Sequence, residues 1–96
     1  MANYSLSREA KNDINEILIF IAEDNIDAAV LFNDRLEKTL NLLGQNPMAG
    51  RERNDLREGL RCFPHGNYLI FYQLWAGKVA ITRVLHSARD LDEIFN

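Results

Sequence analysis

The stretch that decides the fold is Leu60-Arg61-Cys62-Phe63-Pro64-His65-Gly66-Asn67-Tyr68-Leu69-Ile70-Phe71-Tyr72-Gln73-Leu74-Trp75-Ala76-Gly77-Lys78-Val79-Ala80-Ile81-Thr82-Arg83-Val84-Leu85-His86. It is dense in aromatic and β-branched residues, which suit a pleated, half-buried surface. Gly66 and Gly77 interrupt it where a tight hairpin needs positive φ. The pattern predicts three consecutive antiparallel strands. Successive strand residues face opposite sides. On the last strand this puts Val79, Ile81, Arg83 and Leu85 on one face and Ala80, Thr82, Val84 and His86 on the other. Both faces are mostly apolar, so this strand is expected in the middle of the sheet. The chain before the meander is helical, and the segment after it is short. Helices are therefore expected on one sheet face, with the other left open to a partner.

Upstream, Asn3 to Leu6 reads as a short strand, followed by Ser7 as a helix N-cap with Glu9 in the first turn. Ala10, Ile14, Ile17, Leu18, Ile21 and Ala22 then repeat at helical spacing and form one apolar stripe. Ile19 and Phe20 lie off it; either they widen it or they offer apolar surface to another chain. Asp24 or Asn25 caps a second helix, whose stripe is Ala29, Phe32, Leu36, Leu40 and Leu43, with Ala28, Leu31 and Leu42 alongside. Gly44 is placed as its C-terminal cap, with Pro47 beyond. Gln45 to Gly59 reads as a solvated connection from which Leu56 tucks inward. Leu91, Ile94 and Phe95 share a face of one or two helical turns at the end. The fold class is α+β, β-α-α-β-β-β-α, a helical hairpin packed on an antiparallel sheet.

The length of 96 residues points to one domain spanning 1–96 with a single core. No apolar run approaches the roughly 20 residues of a membrane-spanning helix. Met1-Ala2-Asn3-Tyr4 has no basic-then-apolar pattern, so no signal peptide is expected, and the expected location is cytoplasmic. A lone cysteine, Cys62, makes neither an internal disulfide nor a zinc site. Net charge is −3, unevenly placed. Residues 1–50 hold Arg8, Lys11, Arg35 and Lys38 against eight acidic groups, whereas residues 51–89 hold Arg51, Arg53, Arg57, Arg61, Lys78, Arg83 and Arg89 against three. The meander half is basic, which suits an acidic partner. The acidic total disfavours a general nucleic-acid binder.

No phosphate loop, metal-ligand spacing or nucleophile elbow is present, and no cofactor is expected. His65 sits in a turn and reads as solvent-exposed. His86, ending the last strand near Arg83 and Arg89, reads as a structural histidine bonded to backbone. Cys62, among apolar neighbours, reads as a small buried hydrophobe with no base to activate it. Arg61, Arg83 and Arg89 either converge on an anion site or pair with Asp90, Asp92 and Glu93.

Several segments, in order, resemble the RelE/ParE toxin superfamily: Leu6-Ser7-x-x-Ala10-x-x-Asp13-Ile14-x-x-Ile17, Asn46-Pro47-x-x-Gly50-Arg51, Leu56-Arg57-x-Gly59-Leu60-Arg61, Tyr68-Leu69-Ile70-Phe71-Tyr72 and Ile81-x-Arg83-Val84-Leu85-His86-x-Ala88-Arg89-Asp90. RelE-like members are ribosome-dependent mRNA endonucleases, and ParE-like members poison DNA gyrase without catalysis of their own. Both are neutralised by a co-encoded antitoxin. The RelE branch commonly carries an arginine after the meander tyrosine, a basic residue past the last strand and a C-terminal tyrosine or histidine. Here those places hold Leu69, Ser87 and Phe95. Such basic and proton-transferring groups serve phosphoryl chemistry, so the chain looks more like the ParE branch. The resemblance implies a gyrase inhibitor that is not an enzyme, with no sequence-specific nucleic-acid contact, hetero-oligomeric with its antitoxin. An mRNA endonuclease, or a degenerate toxin that only binds antitoxin, are the alternatives. Arg61, Arg83, His86 and Arg89 are the expected target-binding residues. Ile19 and Phe20 are the expected antitoxin contacts.

Overall fold

A computed structural model describes residues 3–95. Met1 and Ala2, part of the stretch read for a leader, lie outside the described residues. The order is β1 (Tyr4–Leu6), α1 (Arg8–Asp24), α2 (Ile26–Gln45), β2 (Arg51–Glu52), β3 (Arg61–His65), β4 (Tyr68–Trp75), β5 (Lys78–His86) and α3 (Leu91–Phe95). The five-stranded sheet runs β1-β5-β4-β3-β2. The meander is antiparallel. β1 pairs parallel to β5, Tyr4 with Val79 through Leu6 with Ile81, which makes the sheet mixed. β5 is thus internal, as its two apolar faces require. Arg51–Glu52, expected in a solvated connection, pairs with β3 as a short edge strand.

Local chemistry sets the helix limits. Ser7 Oγ accepts from the Ala10 amide at 3.0 Å, and Asn25 Oδ1 accepts from the Ala28 amide at 3.0 Å. Each satisfies an orphan donor of a first turn. Gly44 is not the C-terminal cap. It lies inside α2, and Asn46 ends the helix by donating to the Leu42 and Leu43 carbonyls. Its place there is a close approach: a Cβ would stand 3.0–3.1 Å from Asn3, tighter than an ordinary contact. The β4–β5 hairpin closes on Ala76 and Gly77, with φ +52° and +77°. Two positive φ values define the turn whose twist matches paired strands, and Ala76 takes one without glycine's freedom.

The main core lies between the helical hairpin and the sheet. Ile14, Ile17, Leu36, Leu40 and Leu43 meet Ile70, Tyr72, Val79, Ile81 and Val84. A fully buried aliphatic side chain such as Leu43 contributes about 2 kcal/mol. The strict alternation expected for β5 fails in its second half. The ladder pairs Phe71 with Arg83 but Tyr72 with Ile81, so Thr82 is an extra residue, a β-bulge. Past it, Val84 joins Val79 and Ile81 on the helix side while Leu85 packs on the other side.

That other side is not open. Leu56, Leu60, Cys62, Phe71, Leu85 and Phe95 form a second core there. The Phe95 ring lies 4.9 Å from that of Phe71, and the Arg57 guanidinium covers Phe95 at 5.4 Å. Five residues of α3 suffice because the 53–60 segment supplies the rest of the cover. It is a tied loop, closed by Arg53 N–H to Leu60 O at 2.7 Å and Gly59 N–H to Asn54 Oδ1 at 2.8 Å.

The start of the connection is pinned at Gly50. Its amide donates to the buried Tyr72 hydroxyl at 2.7 Å, that hydroxyl donates to Pro47 O at 2.8 Å, and Arg61 Nη1 donates to Gly50 O at 2.6 Å. A Cβ on Gly50 would stand 2.5 Å from the Tyr72 oxygen, and Tyr72 is fully buried and cannot move aside. Gly50→Ala is therefore expected to destabilise the fold by about 2 kcal/mol or more, read as a lower melting temperature and denaturation midpoint.

Candidate functional site

At the end of the sheet where β5 finishes, α1 overhangs the strands. A cavity of about 160 Å³ forms there, lined by Asp13, Glu16, Phe20, Tyr68, His86 and Arg89 among others. Its floor is aromatic. Tyr68 packs edge-on against His86 at 5.3 Å and against Phe32 of α2 at 5.4 Å, and Phe32 packs in turn against His65 at 5.4 Å. His86 Nδ1 accepts from the Ala88 amide at 3.0 Å. That bond leaves the neutral ring's proton on Nε2, on the nitrogen not engaged by backbone. Arg89 is exposed and makes no ion pair among the described residues.

The four residues expected to bind a target do not converge. His86 and Arg89 share the cavity. Arg83 forks onto Asp13, Nε to Oδ2 at 2.8 Å and Nη2 to Oδ1 at 2.9 Å, and this pairing raises its pKa further. Its partner lies on α1, not among Asp90, Asp92 and Glu93. Arg61 sits on β3 and is occupied by Gly50 O and Glu52. Both arginines hold structure, each with a backbone segment or helix depending on it.

Ile19 and Phe20 do not close the core. They are 60% and 71% exposed. Ile19 lines a groove of about 360 Å³ between α1 and α2, with Leu18, Ala22, Ala29, Val30 and Asn33. Phe20 lines the His86 and Arg89 cavity, so the apolar strip and the cavity adjoin.

His65 is not exposed in its turn. It is half-buried against Phe32, with Thr39 Oγ1 3.1 Å from Nδ1. Burial, with Arg35 nearby, lowers its pKa. Cys62 is buried and its thiol is pushed up by that burial, the opposite of an activated nucleophile. Among the described residues no group of three or more His, Cys, Asp and Glu is placed to hold a metal ion. Sequence reasoning missed Tyr68, Glu16 and Asp13 as cavity residues. Their sequence signal is slight: Asp13 and Glu16 are acids beside the apolar stripe of α1, and Tyr68 opens a strand.

A family model described as "ParE toxin of type II toxin-antitoxin system, parDE" matches residues 4–91. Toxin ParE1 of Caulobacter vibrioides is 30% identical over 89 residues, 92% of each chain. Toxin RelE1 of the same organism is 32% identical over 82 residues, 84% of this chain and 88% of that one. A solved structure titled "Chromosomal ParDE TA system from P. aeruginosa" superposes with a TM-score of 0.75 at 18% identity, covering 90% of this chain and 96% of that one, which shows a shared fold. The chain belongs to the ParE toxin family of type II toxin–antitoxin systems.

Asp13→Ala strands the Arg83 guanidinium and the Val84 amide, and should cost about 2–3 kcal/mol in chemical denaturation. The folded state also disfavours protonated His65. The stability this gives is full above the ordinary value of 6.5 and is lost as pH falls through it. Melting temperature should drop between pH 7.5 and 5.5, and His65→Gln should flatten that part of the profile.

Proposed function

We propose that this toxin arrests growth by binding DNA gyrase, without catalysis of its own, and that a co-encoded antitoxin holds it inactive in a hetero-oligomer. The reading takes residues 1–96 as one cytoplasmic domain. The observation that carries it is the adjacency at Phe20. An apolar helix laid along Ile19, Val30 and Phe20 would bury exposed hydrophobic surface and, in the same step, close the cavity holding His86 and Arg89. Neutralisation is then occlusion.

A binding role fits the chemistry better than catalysis does. Cys62 is buried with its thiol pKa raised, and His86 spends one ring nitrogen on backbone. Among the described residues the cavity is lined by no Ser, Thr, Cys or Lys. Arg89 and the second nitrogen of His86 remain as donors, suited to the carboxylates and phosphates that gyrase with cleaved DNA presents. Of the four expected target-binding residues, these two keep that role in our reading. The likeness to Toxin RelE1 keeps an mRNA endonuclease as the second reading.

Inducible expression without antitoxin separates the two. A DNA-damage response with filamentous cells is the expected result. Immediate translation arrest with cleaved mRNA points to the endonuclease, and no growth arrest at all to a degenerate toxin. Arg89→Ala should weaken arrest at least tenfold in inducer dose with no change in melting temperature. Phe20→Asp should lower the affinity of the antitoxin, the product of the adjacent small reading frame, at least tenfold in titration calorimetry.

A further inference from the structure

Residues 16–34 form the turn half of the helical hairpin. They hold five acidic groups, Glu16, Glu23, Asp24, Asp27 and Asp34, and no lysine, arginine or histidine. The cations of the two helices, Arg8, Lys11, Arg35 and Lys38, all lie outside that span. The same span carries the exposed side chains of Ile19, Phe20, Ile26, Val30 and Leu31. Exposed apolar surface is thus set among charges of a single sign.

The spacing is regular. Residues three and four apart on a helix are neighbours. Ile19 and Phe20 stand between Glu16 and Glu23, each three or four places from either acid. Val30 and Leu31 stand in the same way between Asp27 and Asp34. In each helix the two acids are one heptad apart, about 10 Å along the axis. Ile19 and Val30 line one groove between the helices. Phe20 shares a cavity of about 460 Å³ at the turn with Glu23, Asp24 and Ala28. All five acids are exposed, and none forms an ion pair among the described residues. Stability does not account for them all. α1 ends in Glu23-Asp24 with no base in its last turn, where the macrodipole favours cations. Departures of that kind gather at functional surfaces.

We infer that the antitoxin segment seated on this strip is a basic amphipathic helix, its apolar face flanked by lysine or arginine at about heptad spacing. The inference rests on the reading of the hairpin as the antitoxin's docking site. Charge selects the occupant. Unpaired carboxylates on both helices repel nucleic acid. A second copy of this chain has no such helix to offer, since α1 and α2 carry the acids themselves and α3 has two acids and no base. A basic helix makes both contacts at once: its aliphatic side chains cover Ile19 and Val30, and its cations meet the rim. Rim charges of this kind act chiefly on the rate of association.

The test measures association and dissociation rates between the chain and the product of the adjacent small reading frame, at low and at high salt. The double variant Glu23→Lys with Asp34→Lys should associate about tenfold more slowly at low salt, with a flatter salt dependence and a dissociation rate changed far less. Its melting temperature should be no lower than wild type's. Glu58→Lys, in the 53–60 loop, should leave both rates as they are. If the double variant associates as fast as wild type, the inference is overturned. If wild type does not bind that product at all, the antitoxin reading falls, and two synthetic leucine-based amphipathic peptides, one flanked by lysine and one by glutamate, decide the chemistry of the strip. Preference for the lysine peptide, lost in the double variant, upholds it; equal binding overturns it. Self-association of wild type in sedimentation that the double variant abolishes makes the occupant a second copy and overturns the assignment.

Discussion

The contact on which the structure depends lies where β1 stops and β5 continues. β1 pairs with β5 only as far as Ile81. Beyond that, α1 takes over the same edge. The Ser7 amide donates to Ile81 O at 3.0 Å, Ser7 Oγ donates to Thr82 O at 2.8 Å, and Asp13 accepts from the Val84 amide at 3.0 Å and from both arms of Arg83. Buried or half-buried strand groups that find no strand partner must find another. Here the Ser7 cap and Asp13 of α1 supply it and fix the helix against the sheet. The bulge at Thr82 shares in this. By adding one residue it turns Val84 into the main core and Leu85 into the second. Without it, Val84 and Leu85 would exchange faces.

Periodicity made most of the architecture legible. The stripes of α1 and α2, the caps Ser7 and Asn25, the turn glycines and the central place of β5 all depend on spacing within one element, and spacing survives in sequence. The bulge does not, since Thr82 is an ordinary strand residue and its status is decided by the register of β4. The second core was hidden for a related reason. Leu56, Cys62, Leu85 and Phe95 are too far apart in the chain to form a pattern. The candidate site was legible only in part. Ile19 and Phe20 stood out because they break a stripe, and the structure leaves both exposed. That Arg61 and Arg83 are bonded within the fold could not be read, because a sequence shows an arginine and not its partner, here Gly50 O and Asp13.

The arrangement separates tasks by charge and by place. Acidic groups dominate the helical half, and the basic ones crowd the loop and strand half. Much of that basic charge is internal wiring: Arg53 closes a loop, Arg57 covers Phe95, Arg61 holds Gly50 and Arg83 holds α1. The charge left outward at the two ends of β5 is small, with Arg89 at one and Lys78 at the other.

The parallel pairing of β1 with β5 also sets when the molecule becomes complete. Ser7 and Thr82 are 75 residues apart in the chain. During synthesis β1, α1 and α2 leave the ribosome long before the strand that receives them. The helical hairpin can form early from local contacts, but its apolar stripe has no sheet to cover until β5 emerges. Closure is therefore a late event in assembly, possible only once β5 has emerged. An incomplete chain presents the hairpin, and so the Ile19 and Phe20 strip, without the ordered His86 and Arg89 end. Until then the exposed side chains of Ile19 and Phe20 stand on a hairpin with no sheet behind it.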